Sequence, residues 1–468
     1  MKKIMIAGLL CIILLSFFGC GEESISSANI LENSSSADTV VQGANDTGKL
    51  SVGETGIVHI KEGHLLFFDY QSKKDYVICS RSNCRHNDDS CSGWYTGYHG
   101  AAGLAEYGGK LYCLLYRPES NVYELVQMDM DGNRRKVIAE IDGGDSLPGK
   151  WEADLDLSDI YYSAGQAITC INWNYNPKDK EEESIQTQQC VAVNLKSGEI
   201  TEITPRKDEE IQCRISAVST EYSLIEVSGY DKQPLTEAEF YEKYEEGDFE
   251  KDSEIMKAEN PYEVYMERYF EETPQWYQYL KTDLKEKKTE ILKEGVYENL
   301  RDESGKAYAI EPPFYVLGWY KGDLITEEFE YGYVEGEDST SVTGNRIYRW
   351  DLKEDKRKQL LSIDDGYVFD AGGLDNAGII EGERLLFYRR TSDGMADYYS
   401  FSLDTEKETY LYKAERNVPY RIIGETKDSF IYYTFDDTKK YMYMTKKEDY
   451  YSGNFDNSIR LEALDEWF

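Results

Sequence analysis

Residues 108–141 read "GGKLYCLLYRPESNVYELVQMDMDGNRRKVIAEI", and this stretch decides the fold. It runs from a glycine turn through an apolar and aromatic segment, a polar loop, a Tyr-containing alternating segment and an Asp-centred turn to a last apolar segment. The alternation in "YELVQMDMD" has a period of two residues, which is typical of a strand with one buried face. The stretch therefore predicts consecutive β-strands joined by short turns.

The same order of segments and turns recurs along the chain, without a strict repeat of the sequence. The recurrences cover residues 56–79, 159–203, 223–292, 315–361, 382–414 and 420–445. Seven units, each worth about four strands, predict an all-β fold, a β-propeller of seven blades, with six or eight blades as close alternatives. One unit cannot bury both faces of its sheet alone, so neighbouring blades must stack into a ring. The unit at 56–79 is short, which makes it a candidate for adding strands to the last blade, and two stacked β-sandwich domains are the alternative architecture.

Residues 234–276 interrupt this pattern, because they show little β character and many acidic side chains. Thr236 followed by Glu239 is the spacing of a capping box, and Asn260-Pro261 places a cap before a proline at the first helical position. We therefore expect a small helical insertion of one or two helices in a loop of the fourth blade. Such an insertion either carries specificity or decorates the surface.

The N-terminus reads "MKKIMIAGLLCIILLSFFGCGEES" and has the features of an export signal. Lysines precede an apolar run that is too short for a comfortable transmembrane helix, and a small residue precedes Cys20. The end of the run resembles the lipobox of bacterial lipoproteins, which implies a signal peptide over 1–19 and a diacylated Cys20; an ordinary signal peptide or anchor is the alternative. Residues 20–50 are rich in Ser, Asn, Gly and acid and predict a flexible tether. The propeller domain then covers 51–468, and the lipid would hold it on the outer face of the bacterial cell membrane.

The charge of the chain restricts its partners. It has 89 acidic and 52 basic residues and a formal net charge of −37, which excludes nucleic acid as a plausible ligand because phosphates require basic surface. Tyrosine is abundant, with 40 Tyr against 16 Phe, and it favours both strands and surfaces that contact sugars or peptides. We expect a monomer whose partners are the membrane, through its lipid, and a glycan or protein ligand.

The segment "CSRSNCRHNDDSC" places Cys79, Cys84, His86 and Cys91 at the spacing C-x4-C-x-H-x4-C. Three thiolates and one imidazole form a complete tetrahedral ligand set for a structural zinc ion. An oxidising compartment favours instead a disulfide that joins Cys91 to Cys79 or to Cys84. Reduced thiols are the third alternative. In each case we expect the segment to pin a loop between the first two blades, since four protein ligands leave no open position for catalysis.

The other cysteines of the exported chain fall in predicted strands. Cys170 and Cys190 are candidates for a disulfide across a hairpin, whereas Cys113 and Cys213 are expected to be buried thiols.

The lipobox, the Tyr-rich units and "CSRSNCRHNDDSC" together resemble a group of uncharacterised Firmicutes cell-surface lipoproteins with a propeller-like body. The resemblance covers most of the chain as a pattern and only this cysteine segment as a motif. It implies a lipoprotein on a Gram-positive cell surface, and it implies no activity.

The sequence contains neither G-x-S-x-G nor H-E-x-x-H. Its four histidines, His59, His64, His86 and His99, all lie in the first hundred residues. No catalytic residue is predicted. The first hypothesis is a non-catalytic binding or scaffolding module for a glycan, peptide or protein partner. The alternative is a secreted polysaccharide or peptide hydrolase or lyase that uses acidic residues in the propeller funnel.

Overall fold

The computed structural model describes most of the chain from residue 41 onward. The described residues are 41–43, 50–88, 90–95, 100–117, 119–120, 122–142, 151–175, 185–204, 211–232, 234–301, 307–333, 340–364, 366–368, 379–415, 422–435, 439–464 and 466–467. The predicted signal peptide, Cys20, His99 and most of the predicted tether lie outside them.

Within these residues the chain forms seven antiparallel sheets of four or five strands, so the fold is a seven-bladed β-propeller, as predicted. A first strand, β1, precedes the blades and covers Val41–Gly43. The first blade contains β2 (Leu50–Val52), β3 (Gly56–Lys61), β4 (His64–Asp69) and β5 (Lys74–Val77). The second contains β6 (Gly100–Tyr107), β7 (Lys110–Arg117), β8 (Val122–Asp129) and β9 (Lys136–Asp142). The third contains β10 (Trp151–Ser163), β11 (Gln166–Tyr175), β12 (Ile185–Asn194) and β13 (Ile200–Glu202).

The remaining four blades follow the same order. The fourth contains β14 (Ile211–Val218), β15 (Tyr222–Tyr230), β16 (Gln275–Asp283) and β17 (Lys288–Val296), and a separate hairpin of β18 (Glu298–Arg301) and β19 (Ala307–Glu311) follows it. The fifth contains β20 (Tyr315–Tyr320), β21 (Asp323–Tyr333), β22 (Thr340–Asp351) and β23 (Lys356–Asp364). The sixth contains β24 (Gly366–Val368), β25 (Ile379–Ile380), β26 (Arg384–Arg390), β27 (Met395–Ser402) and β28 (Lys407–Glu415). The seventh contains β29 (Ile422–Glu425), β30 (Ser429–Phe435), β31 (Lys439–Lys446), β32 (Ile459–Arg460) and β33 (Glu466–Trp467).

A polar side chain at the end of the third strand closes the turn to the fourth strand in five of the blades. Its oxygen accepts a hydrogen bond from a backbone N–H two or three residues further on, which is the local bonding that makes Asp, Asn and Ser favourable in turns. The five residues are Asp69, Asn194, Asp283, Asp351 and Ser402. The predicted Asp-centred turns are therefore a repeated structural element of the blades.

The ring is held by apolar packing between neighbouring blades. Seven clusters of buried side chains each join two adjacent sheets, and one of these joins the last blade to the first. In that cluster Ile57 and Phe68 of the first blade pack with Ile431 and Met442 of the seventh. Removal of this apolar surface from water stabilises the closed ring in the same way as any domain core.

The idea that the 56–79 unit adds strands to the last blade is wrong. The first blade is complete, because β2 supplies its first strand, and the described strands of the seventh blade all come from residues 422–467. Side chains and backbone groups join the two blades instead. Lys61 Nζ donates a hydrogen bond to the Ala463 carbonyl at 2.8 Å, and the Lys427 N–H donates to Glu54 at 2.9 Å.

The N-terminal strand β1 pairs antiparallel with β10, and Val41 lies opposite Tyr162. The first strands of successive blades contact one another from β2 through β6, β10 and β14 to β20, so they surround the axis of the ring. Since β1 extends the third blade beyond its first strand, it is added at the inner edge. The sequence did not predict this pairing.

The predicted helical insertion is present between β15 and β16. Helix α1 (Glu237–Glu246) begins at Thr236 with a complete capping box, and α2 (Pro261–Glu272) begins at Asn260, whose side chain accepts from the Glu263 N–H. A third helix, α3, covers Lys447–Ser452, and short 3₁₀ turns cover Ile255–Lys257, Phe455–Asn457 and Glu462–Leu464. None of the helices in the described part of the chain is long and apolar enough to cross a membrane.

Candidate metal centre and polar pocket

The cysteine loop, residues 78–88 and 90–95, follows the outer strand of the first blade and returns to the start of β4. The Ile78 N–H donates to the Leu65 carbonyl at 3.0 Å, and the Leu65 N–H donates to the Gly93 carbonyl at 2.9 Å. The Tyr95 N–H then donates to the Gly63 carbonyl at 2.7 Å. Both ends of the loop are therefore fixed to one end of the same sheet.

This loop brings together all four residues that the sequence proposed as a cluster. One ligand atom each from Cys79, Cys84, His86 and Cys91 lies within 4.8 Å of the other three. The Cys79, His86 and Cys91 side chains are buried, and His86 Nδ1 lies 3.2 Å from Cys91 Sγ. Zinc–sulfur bonds of about 2.3 Å give tetrahedral edges of about 3.8 Å, so small inward shifts would complete the coordination sphere.

The backbone of the loop turns sharply to aim these side chains inward. Asn83 and His86 have φ angles of 63° and 53°, in the left-handed region. Asn and His both occur in this region more often than most residues, but a residue other than glycine held there still costs on the order of 1 kcal/mol. The Cys84 N–H donates to the Arg81 carbonyl at 3.3 Å, and the Cys91 N–H donates to the Asp88 carbonyl at 2.9 Å.

The thiols of the cluster differ in acidity. Burial opposes ionisation of Cys79, but hydrogen bonds from the Arg81 backbone and from Cys91, Cys84 and Ser92 lower the pKa of its thiol below the ordinary value. Burial raises the pKa of the Cys91 thiol to about 12. Because a thiolate is the form that binds metal, Cys79 is the first of these two sulfurs to reach the metal-binding form as the pH rises.

His64 supports the cluster from the neighbouring turn, and the sequence did not identify this role. Its Nε2 donates to the His86 carbonyl at 2.8 Å, and its ring packs edge-on against Trp94 with centroids 4.8 Å apart. This contact fixes the backbone of a candidate ligand, which is the type of support that outer residues give to metal sites. No spacing rule relates His64 to His86, since the contact depends on how the loop returns to β4.

The cysteine loop also rests on the second blade, at the turn between β8 and β9. Ser80 Oγ donates to Asn133 Oδ1 at 2.6 Å, and the Arg135 guanidinium lies 4.3 Å from the centre of the Tyr95 ring. Gly132 has a φ of +79°, and a Cβ there would lie 2.5 Å from the Ile78 carbonyl oxygen. The loop thus contacts the first and second blades together, as the sequence analysis expected.

The cysteines outside this loop lie in strands. Cys170 on β11 is directly opposite Cys190 on β12, and their sulfur atoms are 2.8 Å apart in the core between the third and fourth blades. Cys213 belongs to the same core, where its thiol donates to the Gln188 carbonyl at 3.4 Å. Cys113 is fully buried between the first and second blades.

A second candidate site is a pocket of about 440 Å³ beside the helical insertion, which we call the blade-four pocket. Gln212 lies at the beginning of β14, Ser228 near the end of β15 and Gln275 at the beginning of β16. Because neighbouring strands are antiparallel, these three positions lie at the same end of the sheet. The helical insertion also extends from this end. The volume falls in the usual range for small-ligand sites, about 300–1,000 Å³.

The lining of the blade-four pocket includes the buried carboxylate of Glu226, which already accepts hydrogen bonds from two neighbouring side chains. Arg214 Nη2 donates to Glu226 Oε2 at 2.6 Å from the directly opposite position on the next strand. The Tyr297 hydroxyl donates to Glu226 Oε1. Burial and then the charge of Glu226 raise the pKa of Tyr297, so its hydroxyl remains a donor.

Uncharged side chains form the rest of the lining in the described part of the chain. The Cys213 N–H donates to Gln188 Oε1 at 2.6 Å, and Gln275 Nε2 donates to Ser228 Oγ at 3.3 Å. Tyr315 and Pro312 complete the wall toward the fifth blade. The sequence analysis identified none of these residues as part of a binding site, although it expected Cys213 to be a buried thiol. Strand alternation predicts that residues share a face, but the pocket combines residues of three blades and of the link after β17.

No protein-family model and no curated protein matches the chain. Solved structures that are similar to it include an oligogalacturonate lyase in complex with manganese, at 8% identity and a TM-score of 0.40, with coverage of 88% of this chain and 94% of that chain. The β-propeller domain of the trilobed protease from Pyrococcus furiosus is similar at 11% identity and a TM-score of 0.37, with coverage of 75% and 82%. TolB from Acinetobacter baumannii is similar at 11% identity and a TM-score of 0.31, with coverage of 86% and 76%. Similarity at this level carries no functional argument.

Proposed function

We propose that this protein is an exported, lipid-anchored surface protein whose propeller acts as a non-catalytic binding module. The observation that carries the proposal is the blade-four pocket, which has the volume of a ligand site and a lining of polar and aromatic side chains. Its position beside the helical insertion supports the proposal, because ligand sites concentrate where loops extend from a rigid scaffold.

The chemistry of the pocket favours binding over hydrolysis. A mechanism with two carboxylates needs an acid and a base or nucleophile, roughly 5–10 Å apart. Among the described residues, the lining of the blade-four pocket contains one carboxylate, Glu226, and both of its oxygens accept hydrogen bonds, one from Arg214 and one from Tyr297. A carboxylate held in this way is a structural group, and we assign it no role in catalysis.

Attachment through Cys20 is the second part of the proposal, supported by the lipobox resemblance and by the similarity to Firmicutes cell-surface lipoproteins. The test is metabolic labelling with a fatty acid in a Gram-positive host, with the full chain and Cys20→Ala. We expect label and membrane association for the full chain and loss of both in the variant. A Cys11→Ala variant, which changes a cysteine inside the predicted signal, should label normally. An unlabelled full chain would refute the anchor.

The third part is a structural zinc ion in the cysteine loop. The convergence of Cys79, Cys84, His86 and Cys91 within 4.8 Å supports it. Because the loop contacts two blades, an ion bound there would help to hold the first and second blades together. All four ligands come from the protein, so the ion would stabilise the loop and would not act on a substrate.

The binding function itself is tested with the full chain in detergent. A panel of soluble glycans and a panel of peptides are screened for saturable binding by calorimetry. We expect at least one of the two panels to contain a ligand. Absence of binding in both panels at millimolar concentrations would refute the binding module.

A further inference from the structure

We infer that the ligand of the blade-four pocket is a neutral, hydroxyl-rich oligosaccharide. The inference rests on the proposed binding function and specifies its ligand class. Three properties of the lining carry it: paired donor and acceptor groups, a compensated charge and fixed aromatic rings.

The first property is the set of side-chain amides from Gln188, Gln212 and Gln275. Each amide carries a donor and an acceptor, and each hydroxyl of a sugar also donates and accepts, so the two groups are complementary. The Gln188 oxygen already accepts a hydrogen bond from the Cys213 N–H. The Gln188 nitrogen has no partner among the described residues, so it can donate to a ligand. Gln275 donates to Ser228 through its nitrogen, which leaves its oxygen as an acceptor, and Gln212 is exposed at the pocket.

The second property is that the charges of the described lining residues, Arg214 and Glu226, compensate each other. The charge of Arg214 is compensated by Glu226 at 2.6 Å, so an anionic ligand would have to compete with a carboxylate that is already in place. The chain as a whole has a net charge of −37, which repels polyanions over longer distances. Both terms favour a neutral ligand over an acidic one.

The third property is the pair of tyrosine rings in the wall. The Tyr297 ring packs against Tyr277 with centroids 4.9 Å apart, and Tyr315 packs against Phe329 at 4.9 Å. Flat rings with a polar group at one end suit the apolar C–H face of a sugar ring. Because neighbouring rings already hold them, little conformational entropy is lost when a ligand binds.

The experiment uses the full chain in detergent and isothermal titration calorimetry. The probes are neutral tetrasaccharides of β-1,4-linked glucose, β-1,4-linked mannose and α-1,4-linked glucose, with a hyaluronan oligosaccharide as the acidic comparison and mixed-sequence peptides as the second class. The pocket variant is the double substitution Gln212→Ala and Gln275→Ala. The matched control is Gln278→Ala, because Gln278 lies on the same strand as Gln275 and three positions further on, which places it on the opposite face.

We expect one neutral tetrasaccharide to bind, with a dissociation constant raised at least tenfold by the pocket variant and unchanged by Gln278→Ala. Preference for the acidic oligosaccharide would overturn the inferred ligand class. Binding that the pocket variant does not weaken would overturn the inferred site. If only peptides bind, the inference is wrong and the binding module stands. If neither class binds, both are wrong.

Discussion

Cys170 and Cys190 occupy directly opposed positions on β11 and β12, with their sulfur atoms 2.8 Å apart. Both side chains are completely buried. Opposed residues of antiparallel strands have Cα atoms about 4.5–5.5 Å apart, which is within the range that a disulfide can bridge. The strand register therefore places the two cysteines that the sequence analysis suggested as a disulfide in a position to form one.

We predict that Cys170 and Cys190 form a disulfide when the chain folds under oxidising conditions. The closed loop of about 20 residues would stabilise the fold by roughly 3 kcal/mol. The measurement is alkylation in denaturant without reductant, followed by peptide mass spectrometry. Cys113, which is buried in a different core, should be labelled and serves as the control. Labelling of both Cys170 and Cys190 after oxidative folding would contradict the prediction.

The cysteine loop should contain about one zinc ion per chain after anaerobic purification. We expect Cys84→Ser and Cys91→Ser to lose the metal, because each removes one of four ligands, and removal of the ion by a chelator should lower the thermal unfolding midpoint. Elemental analysis gives the stoichiometry. The control is Cys113→Ala, which removes a thiol outside the loop. Metal-free protein with a disulfide between Cys91 and Cys79 or Cys84 would refute the zinc site and show that a disulfide holds the loop.

His86 gives a sharper test, since its side chain can be exchanged for another ligand. We expect His86→Ala to lose the zinc and His86→Cys to retain it, because four thiolates also form a structural site. Both variants must adopt the same left-handed backbone conformation at residue 86, with a φ of 53°. The conformational cost is therefore shared, and a difference in zinc content reflects the side chain. Retention of zinc by His86→Ala would show that the imidazole is not a ligand.

The closure of the ring can be tested at Gly424 of the last blade. A Cβ at this position would lie 2.6 Å from Val52 Cγ2 on the first blade. We expect Gly424→Ala to lower the free energy of unfolding by about 1–3 kcal/mol through overpacking. Urea unfolding measures this change.

The double variant Gly424→Ala with Val52→Ala is the matched control for the closure test. Val52→Ala removes the methyl groups that clash but leaves its own Cβ, so the second substitution should recover part of the loss. Costs that simply add would show that residues 52 and 424 do not press against each other across the closure.

Stability should fall in acid partly through Asp129. Burial opposes its charge, but hydrogen bonds from Lys110 and Arg134 hold the pKa of its carboxyl below the ordinary value. A carboxyl with a lowered folded-state pKa contributes stability above its unfolded-state pKa, about 3.9, and this contribution is lost as the pH falls through the lower, folded-state pKa. Asp129→Asn should therefore be less stable at pH 7 and show a smaller loss below about pH 4.

Urea midpoints between pH 3 and pH 7 measure the Asp129 effect. The control is Asp131→Asn in the same turn, where the carboxylate accepts hydrogen bonds from the Asn133 side chain and backbone and pairs with no cation of the described residues. Equal acid sensitivity of the wild type and Asp129→Asn would contradict the assignment.

The blades were predictable because their signal is local. Alternation, glycine turns and the Asp at the end of the third strand act within a few residues, and turns such as those at Asp283 and Asp351 form through bonds to their own backbone. The capping box at Thr236 is equally local. The cysteine cluster was predictable for the same reason, since all four ligand candidates lie within thirteen residues of the sequence.

The support of the cluster by His64 and the blade-four pocket were not predictable in this way. The pocket places Gln188 beside Cys213 and Glu226 beside Tyr297, and these pairs come from different blades or from a strand and a distant link. No periodicity connects such positions. Their proximity depends on how the sheets twist and stack, which is a property of the assembled ring.

The sequence by itself determined the repeating unit, the helical insertion and the residues of the cysteine cluster, because hydrophobic period and turn chemistry are short-range. It favoured seven blades over six or eight, and the sheets of the structure give seven. Only the tertiary structure decided how the ring closes, where Lys61 meets Ala463 across some 400 residues, and that β1 joins the third blade. It also decided that a polar pocket opens beside the insertion. These features depend on which faces remain to be buried once all seven sheets have packed, and that balance is set by the whole chain.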